Sequence, residues 1–259
     1  MRGRTAWVAA GGAAALALVT ATGAHAEGRG DVRVVKTVVN GGGNVIVGTS
    51  KTIKYPIDIT VKDNSGVKGL THVSTFNKTN AYTFATWNDD SSCTKKSATT
   101  SVCRATMTID PAWIPDSDDI DSNKVAGVWR VDATVKANDG DYWISDDVAE
   151  YKVERAAQLT TVITPARVTK GAKVTVTGKL SRANWEDLKY HGFTGQQVKL
   201  QFRKKGAAHY STVKTVTTGD AGKLTTKVTA TSAGSWRWYF PGTTTTSRKV
   251  SVGDVLNLK

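Results

Sequence analysis

Residues 234–242 read Gly234-Ser235-Trp236-Arg237-Trp238-Tyr239-Phe240-Pro241-Gly242. Apolar rings at positions 236, 238 and 240 alternate with Arg237 and Tyr239. A period of two is the signature of a strand with one buried face, since successive side chains leave a strand on opposite sides. Three rings aimed the same way can anchor the centre of a sheet-on-sheet core. The stretch is architectural and carries no chemistry of its own.

Working outward, the same reading extends over the C-terminal part of the chain. Strand-like runs are predicted at Leu159–Ile163, Val174–Leu180, Val198–Phe202, Tyr210–Val216, Leu224–Val228, Trp236–Phe240 and Val250–Val252. Glycines punctuate them, and seven short strands in about a hundred residues is the count of an immunoglobulin-like sandwich. Toward the N-terminus, further runs are predicted at Val32–Val39, Ile53–Val61, Leu70–Phe76, Tyr82–Trp87, Val102–Ile109, Val128–Val135 and Val148–Val153. Asn138-Asp139-Gly140-Asp141 is a hairpin signal. No window sustains a 3.6-residue period, so helix content should be low.

An internal echo ties the two halves together. Gly127-Val128-Trp129-Arg130-Val131 mirrors Gly234-Ser235-Trp236-Arg237-Trp238, and each is followed by one last strand. Residues Glu154–Leu159 read as a short connector. The expected organisation is a segment 1–26, a first domain over 27–154 and a second over 155–259.

Ala172-Lys173-Val174-Thr175-Val176-Thr177-Gly178-Lys179-Leu180, Gly195-Gln196-Gln197-Val198-Lys199-Leu200-Gln201-Phe202-Arg203, Val213-Lys214-Thr215-Val216-Thr217-Thr218, Gly222-Lys223-Leu224 and the Gly234–Gly242 stretch resemble the bacterial Ig-like domains of secreted actinobacterial proteins. The resemblance covers most of residues 157–259 and extends more loosely to the first half. It implies a binding or spacer module outside the cell, with no catalytic residues to carry over. The fold class expected is all-β: two tandem antiparallel Ig-like β-sandwich domains after a signal peptide.

The N-terminus supports export. Arg2 and Arg4 precede an apolar run from Ala6 to Val19, and Ala24-His25-Ala26 ends in the A-x-A form of a cleavage site. The run is broken by Gly11 and Gly12 and is shorter than the roughly 20 residues of a membrane span. A secreted product, extracellular or wall-associated, with no membrane span after processing, is therefore expected. The chain has two cysteines, Cys93 and Cys103, ten positions apart. In an exported protein this pair reads as a disulfide across a hairpin or loop, contributing roughly 3 kcal/mol by loop entropy. It is too closely spaced to span the two sheets as in antibody domains.

Charge is unevenly distributed. Residues 157–259 hold 17 Lys and Arg against 4 Asp and Glu, whereas residues 27–156 hold 16 against 18. Such an excess points the second half toward polyanions. Outside a Gram-positive-type cell these are anionic wall polymers and extracellular DNA, and retention at the envelope is the leading functional expectation. No base-reading motif argues for sequence-specific nucleic-acid binding. Arg203, Lys204 and Lys205 are the densest basic cluster. With Trp185, Tyr190 and His191, in the long connection between the second and third strands, they are the candidate ligand-binding residues. The alternative for those rings, with Phe193, is that they cap the open end of the core.

For chemistry the chain offers little. Histidines beyond the leader are His72, His191 and His209, and no H-E-x-x-H, G-x-S-x-G or P-loop pattern occurs. No catalytic residues are assigned, and no cofactor is expected apart from calcium. Asp116, Asp118, Asp119 and Asp121 supply carboxylates at close spacing, as a hard cation needs. The EF-hand pattern fails, because Lys124 and Arg130 stand at its glycine and glutamate positions, and a solvated acidic loop is the competing reading. Arg29-Gly30-Asp31 matches an adhesion tripeptide but arises easily by chance in a glycine-rich terminus. The alternative function is a secreted enzyme or enzyme inhibitor acting through loops of the first domain.

Overall fold

The stretch Gly234–Phe240 is a strand. It buries Gly234, Trp236, Trp238 and Phe240 and turns Ser235, Arg237 and Tyr239 outward. The computed structural model describes residues 26–114 and 122–259. Among these the regular structure is strand, with helical geometry confined to four 3₁₀ turns.

The first sandwich is built from β1 (Ala26–Arg29), β2 (Arg33–Val39), β3 (Val45–Val47), β4 (Ile53–Lys62), β5 (Val67–Asn77), β6 (Ala85–Lys95), β7 (Thr100–Ile109), β8 (Gly127–Ala137) and β9 (Tyr142–Arg155). One sheet runs β2-β4-β7-β6; the other runs β1-β9-β8-β5, with β3 also on β9. The β3–β9 pair is parallel and the rest are antiparallel. In immunoglobulin lettering these sheets are A-B-E-D and A′-G-F-C, the constant-type order, with β1 added at the edge of strand G.

The second sandwich comprises β10 (Ala157–Leu159), β11 (Val162–Thr164), β12 (Arg167–Val168), β13 (Lys173–Asn184), β14 (Lys189–Gly192), β15 (Gln197–Lys204), β16 (Ser211–Thr217), β17 (Lys223–Thr229), β18 (Gly234–Phe240), β19 (Lys249–Val250) and β20 (Asp254–Leu258). In one sheet β13 is flanked by β10 and β11 on one side and by β17 and β14 on the other. The other sheet runs β12-β20-β18-β15-β16. The letters are A-B-E and A′-G-F-C-C′, with β12 parallel to β20. Strand order alone therefore defines two tandem Ig-like sandwiches. The echoed stretches fall on β8 and β18, strand F of each unit.

Each unit has its own core. In the first, Tyr55 and Tyr151 meet hydroxyl to hydroxyl at 2.8 Å across the two sheets. Burial drives the Tyr55 pKa up to about 12, so the pair stays neutral throughout the physiological range. In the second, Trp238 is fully buried, and its indole Nε1 donates to the Thr177 carbonyl at 3.0 Å in the facing sheet. Gly234 opens strand F because a side chain there would meet the Arg203 carbonyl at 2.4 Å. Cys93 and Cys103 are bonded and lie directly opposite each other on β6 and β7, within one sheet, with Cα atoms 3.9 Å apart.

Several boundaries differ from the sequence reading. The segment read as a connector is almost wholly strand: β9 runs through Arg155 and β10 begins at Ala157, leaving Ala156 alone between them. Its N–H donates to Val47 of the first unit at 2.9 Å, and its carbonyl accepts from Ala183 of the second at 2.9 Å. The final strand is chiefly Asp254–Leu258 rather than Val250–Val252. Val252 is 88% exposed, because Ser251 turns inward to bond the Trp238 backbone. Most of the segment read as a signal peptide, residues 1–25, lies outside the described residues.

The outer face of β8 and β9 carries a strained carboxylate. Partial burial, reinforced by Asp146 and then opposed by Arg130, raises the Asp132 pKa to about 6. The folded state therefore holds this proton more tightly than the unfolded chain does, and stability falls as pH rises from about 4 to about 6. Asp132→Asn is expected to stabilise the protein by about 1 kcal/mol at pH 7, after allowing for solvent screening of a group this exposed. The gain should vanish below pH 4, as thermal melts across that range would reveal.

Candidate functional site

The basic surface of the second sandwich follows from its strand alternation. Along β15, Val198 and Leu200 go inward, while Lys199 and Arg203 face out. Register sets Gln201 opposite Arg237 and Arg203 opposite Ser235 on β18. Arg237 Nε donates to Gln201 Oε1 at 2.8 Å, and Tyr210, from the turn after β15, donates to Ser235 Oγ at 2.9 Å. Two guanidiniums then approach the Tyr210 ring, Arg237 at 3.7 Å and Arg203 at 4.8 Å from its centroid. A cation over an aromatic ring is a favourable arrangement, but it leaves both positive charges without an anion.

Lys204 and Lys205 are exposed at the end of β15 and line a cleft of about 360 Å³ that runs on to Gly234 and Asn257. The cleft is at the end of this unit remote from the first sandwich. On the opposite sheet Lys173, Lys179, Lys223 and Lys227 stand outward among threonines, with Lys179 directly across from Lys223. Like charges facing each other in a ladder are destabilising on their own. Among the described residues the ion pairs are Lys78–Glu150, Arg104–Asp58 and His191–Asp187, so no Lys or Arg of the second sandwich is paired.

The aromatic group expected in the long connection is not a displayed platform. Strand β13 continues to Asn184 and turns into β14, and this hairpin projects Trp185 into the first sandwich. Trp185 is fully buried, packs edge-on against Phe84 with centroids 5.4 Å apart, and donates Nε1 to the Val47 carbonyl at 3.3 Å. Tyr190 packs half-buried against the same core. His191 is exposed and paired with Asp187 at 2.7 Å. Phe193 instead joins the second core, 5.9 Å from Phe240 and under the Arg182 guanidinium at 3.9 Å. Trp185 and Tyr190 therefore join the two units, and the fully buried Trp185 is not available to stack on a ligand. Arg155 completes the junction: it is buried and donates Nε to the Ala183 carbonyl at 2.5 Å, and burial lowers its pKa to about 10.

Of the expected sites, Arg203, Lys204 and Lys205 form one exposed cluster. Asp116, Asp118, Asp119 and Asp121 lie outside the described residues. In the Arg29-Gly30-Asp31 tripeptide, Arg29 ends β1 and Gly30 and Asp31 form a bend. Gly30 has φ +81°, a side chain on it would run into the Asp141 carboxylate, and the Asp31 N–H donates to Asp141 Oδ2 at 3.0 Å.

The chain matches no protein-family model and no curated protein. Among solved structures it is similar to the adhesin InvE of Yersinia pseudotuberculosis, at 16% identity and TM-score 0.31, covering 89% of this chain and 61% of that one. It is also similar to the D00-D0 domain of intimin, at 14% identity and TM-score 0.28, covering 85% of this chain and 98% of that one. A third similarity is to a putative superoxide reductase from Thermotoga maritima, at 12% identity and TM-score 0.28, over 41% of this chain and 87% of that one. The Ig-like class rests on the strand order described above.

Proposed function

We propose that the protein is a non-enzymatic extracellular module whose second sandwich holds it on anionic polymer at the cell envelope. One observation carries this reading: the 17 Lys and Arg of residues 157–259 face 4 carboxylates, and among the described residues none of these cations is ion-paired. Solubility alone does not call for so one-sided a surface. An outward-facing Lys/Arg array on both sheets of one small domain suits a flexible polyphosphate-like chain, which exchanges its condensed counterions for protein cations. The export signal expected from the sequence and the disulfide support this reading of a location outside the cytoplasm.

The test is binding to immobilised long-chain polyphosphate across a salt series. With roughly five phosphates engaged, affinity is expected to fall about 100-fold or more between 50 and 200 mM salt. Replacing Arg203, Lys204 and Lys205 together by alanine should reduce the steepness of that dependence. Binding that ignores salt, or no binding at low salt, overturns the reading.

A further inference from the structure

At the end of the first sandwich remote from the second, three carboxylates from three separate segments converge. Asp31 lies between β1 and β2, Asp63 directly follows β4, and Asp141 directly precedes β9. One carboxylate oxygen from each lies within 4.8 Å of the other two. Two ligands of a cation at about 2.4 Å can be no further apart than twice that distance, so the spacing admits one shared ion.

A second observation sets this group apart from an ordinary acidic patch. Asp63 is 1% exposed. Its Oδ1 is saturated by the Ser65 N–H at 2.7 Å and the Ser65 hydroxyl at 2.6 Å, but its Oδ2 is buried with no hydrogen-bond donor. Asp31 Oδ1 is likewise buried without a donor. None of the ion pairs among the described residues involves any of the three. A buried carboxylate oxygen with neither donor nor cation is expensive to maintain, and its usual partners are a hydrogen-bond donor or a metal ion.

We infer that Asp31, Asp63 and Asp141 bind a divalent cation, and that the cation is calcium. All three donors are hard oxygens, with no histidine or thiol to favour zinc. The site is irregular and drawn from separate loops, as calcium tolerates and magnesium does not. Asp63 follows a strand of one sheet and Asp141 leads into a strand of the other, while Asp31 anchors the chain that crosses between them. The ion therefore staples both sheets and the N-terminal strand at one point.

Calorimetric titration and thermal melts of the full chain in EDTA, calcium and magnesium test this. Calcium at 100 times its dissociation constant is expected to raise the melting temperature of the first sandwich by about 5 to 10 °C, with magnesium less effective. Asp63→Asn keeps the acceptor for Ser65 and removes one of three repelling charges. It should melt at or above wild type in EDTA and lose the calcium response, which separates loss of the ion from failure to fold. Asp118→Asn should respond as wild type does. No heat and no melting shift with calcium in wild type, a full response in Asp63→Asn, or a response abolished by Asp118→Asn would each overturn the assignment.

Discussion

Trp185→Ala is expected to weaken the first sandwich, although residue 185 belongs by sequence to the second. The indole is fully buried against Phe84 in the first core, so truncation leaves a large cavity there and removes one of the two donors on the Val47 carbonyl. Removing a buried tryptophan costs about 3–5 kcal/mol. In calorimetry the first unit's transition should drop and separate from that of the second, which loses no core side chain of its own. Trp185→Phe, which keeps a ring but not the N–H, should recover most of the loss. A single transition at the wild-type temperature would show that the indole does not couple the units.

Trp238→Ala should be broader in its effect. Trp238 fills the centre of the second core, and its Nε1 spans to Thr177 on the facing sheet, so about 3–5 kcal/mol is again at stake. The second unit also supplies the hairpin that carries Trp185, and its unfolding withdraws that wedge from the first core. The two substitutions are therefore expected to be asymmetric: Trp185→Ala lowers one transition and Trp238→Ala lowers both. If Trp238→Ala left the first unit's melting untouched, the wedge would contribute little to it.

Why these features differ in how readable they were comes down to range. The alternation at Trp236, Trp238 and Phe240 is a local pattern, and the long strands β4, β7, β8 and β13 carry it plainly. Strands β1, β3, β12 and β14 have two to four residues each and exist because a neighbour pairs with them, so their own residues hold no period. The disulfide was legible because the cysteines had no other partner in the chain. Trp185 could be recognised as a ring in a connection, but which core it enters depends on how two domains dock. The Asp31, Asp63 and Asp141 group had no local signature at all, since its members are brought together only by the closing of three loops at one end of a sandwich. The basic excess was a count in the sequence, while its lack of ion-pair partners among the described residues needed coordinates.

The one-residue junction has a mechanical consequence. Ala156 gives its N–H to one sandwich and its carbonyl to the other, and the Trp185 hairpin and Arg155 brace it from the side. A chain linked this way is expected to have little swivel. The two sandwiches are expected to turn as one lever, and the polymer proposed for the basic end would then fix the direction in which the far loops of the first unit point.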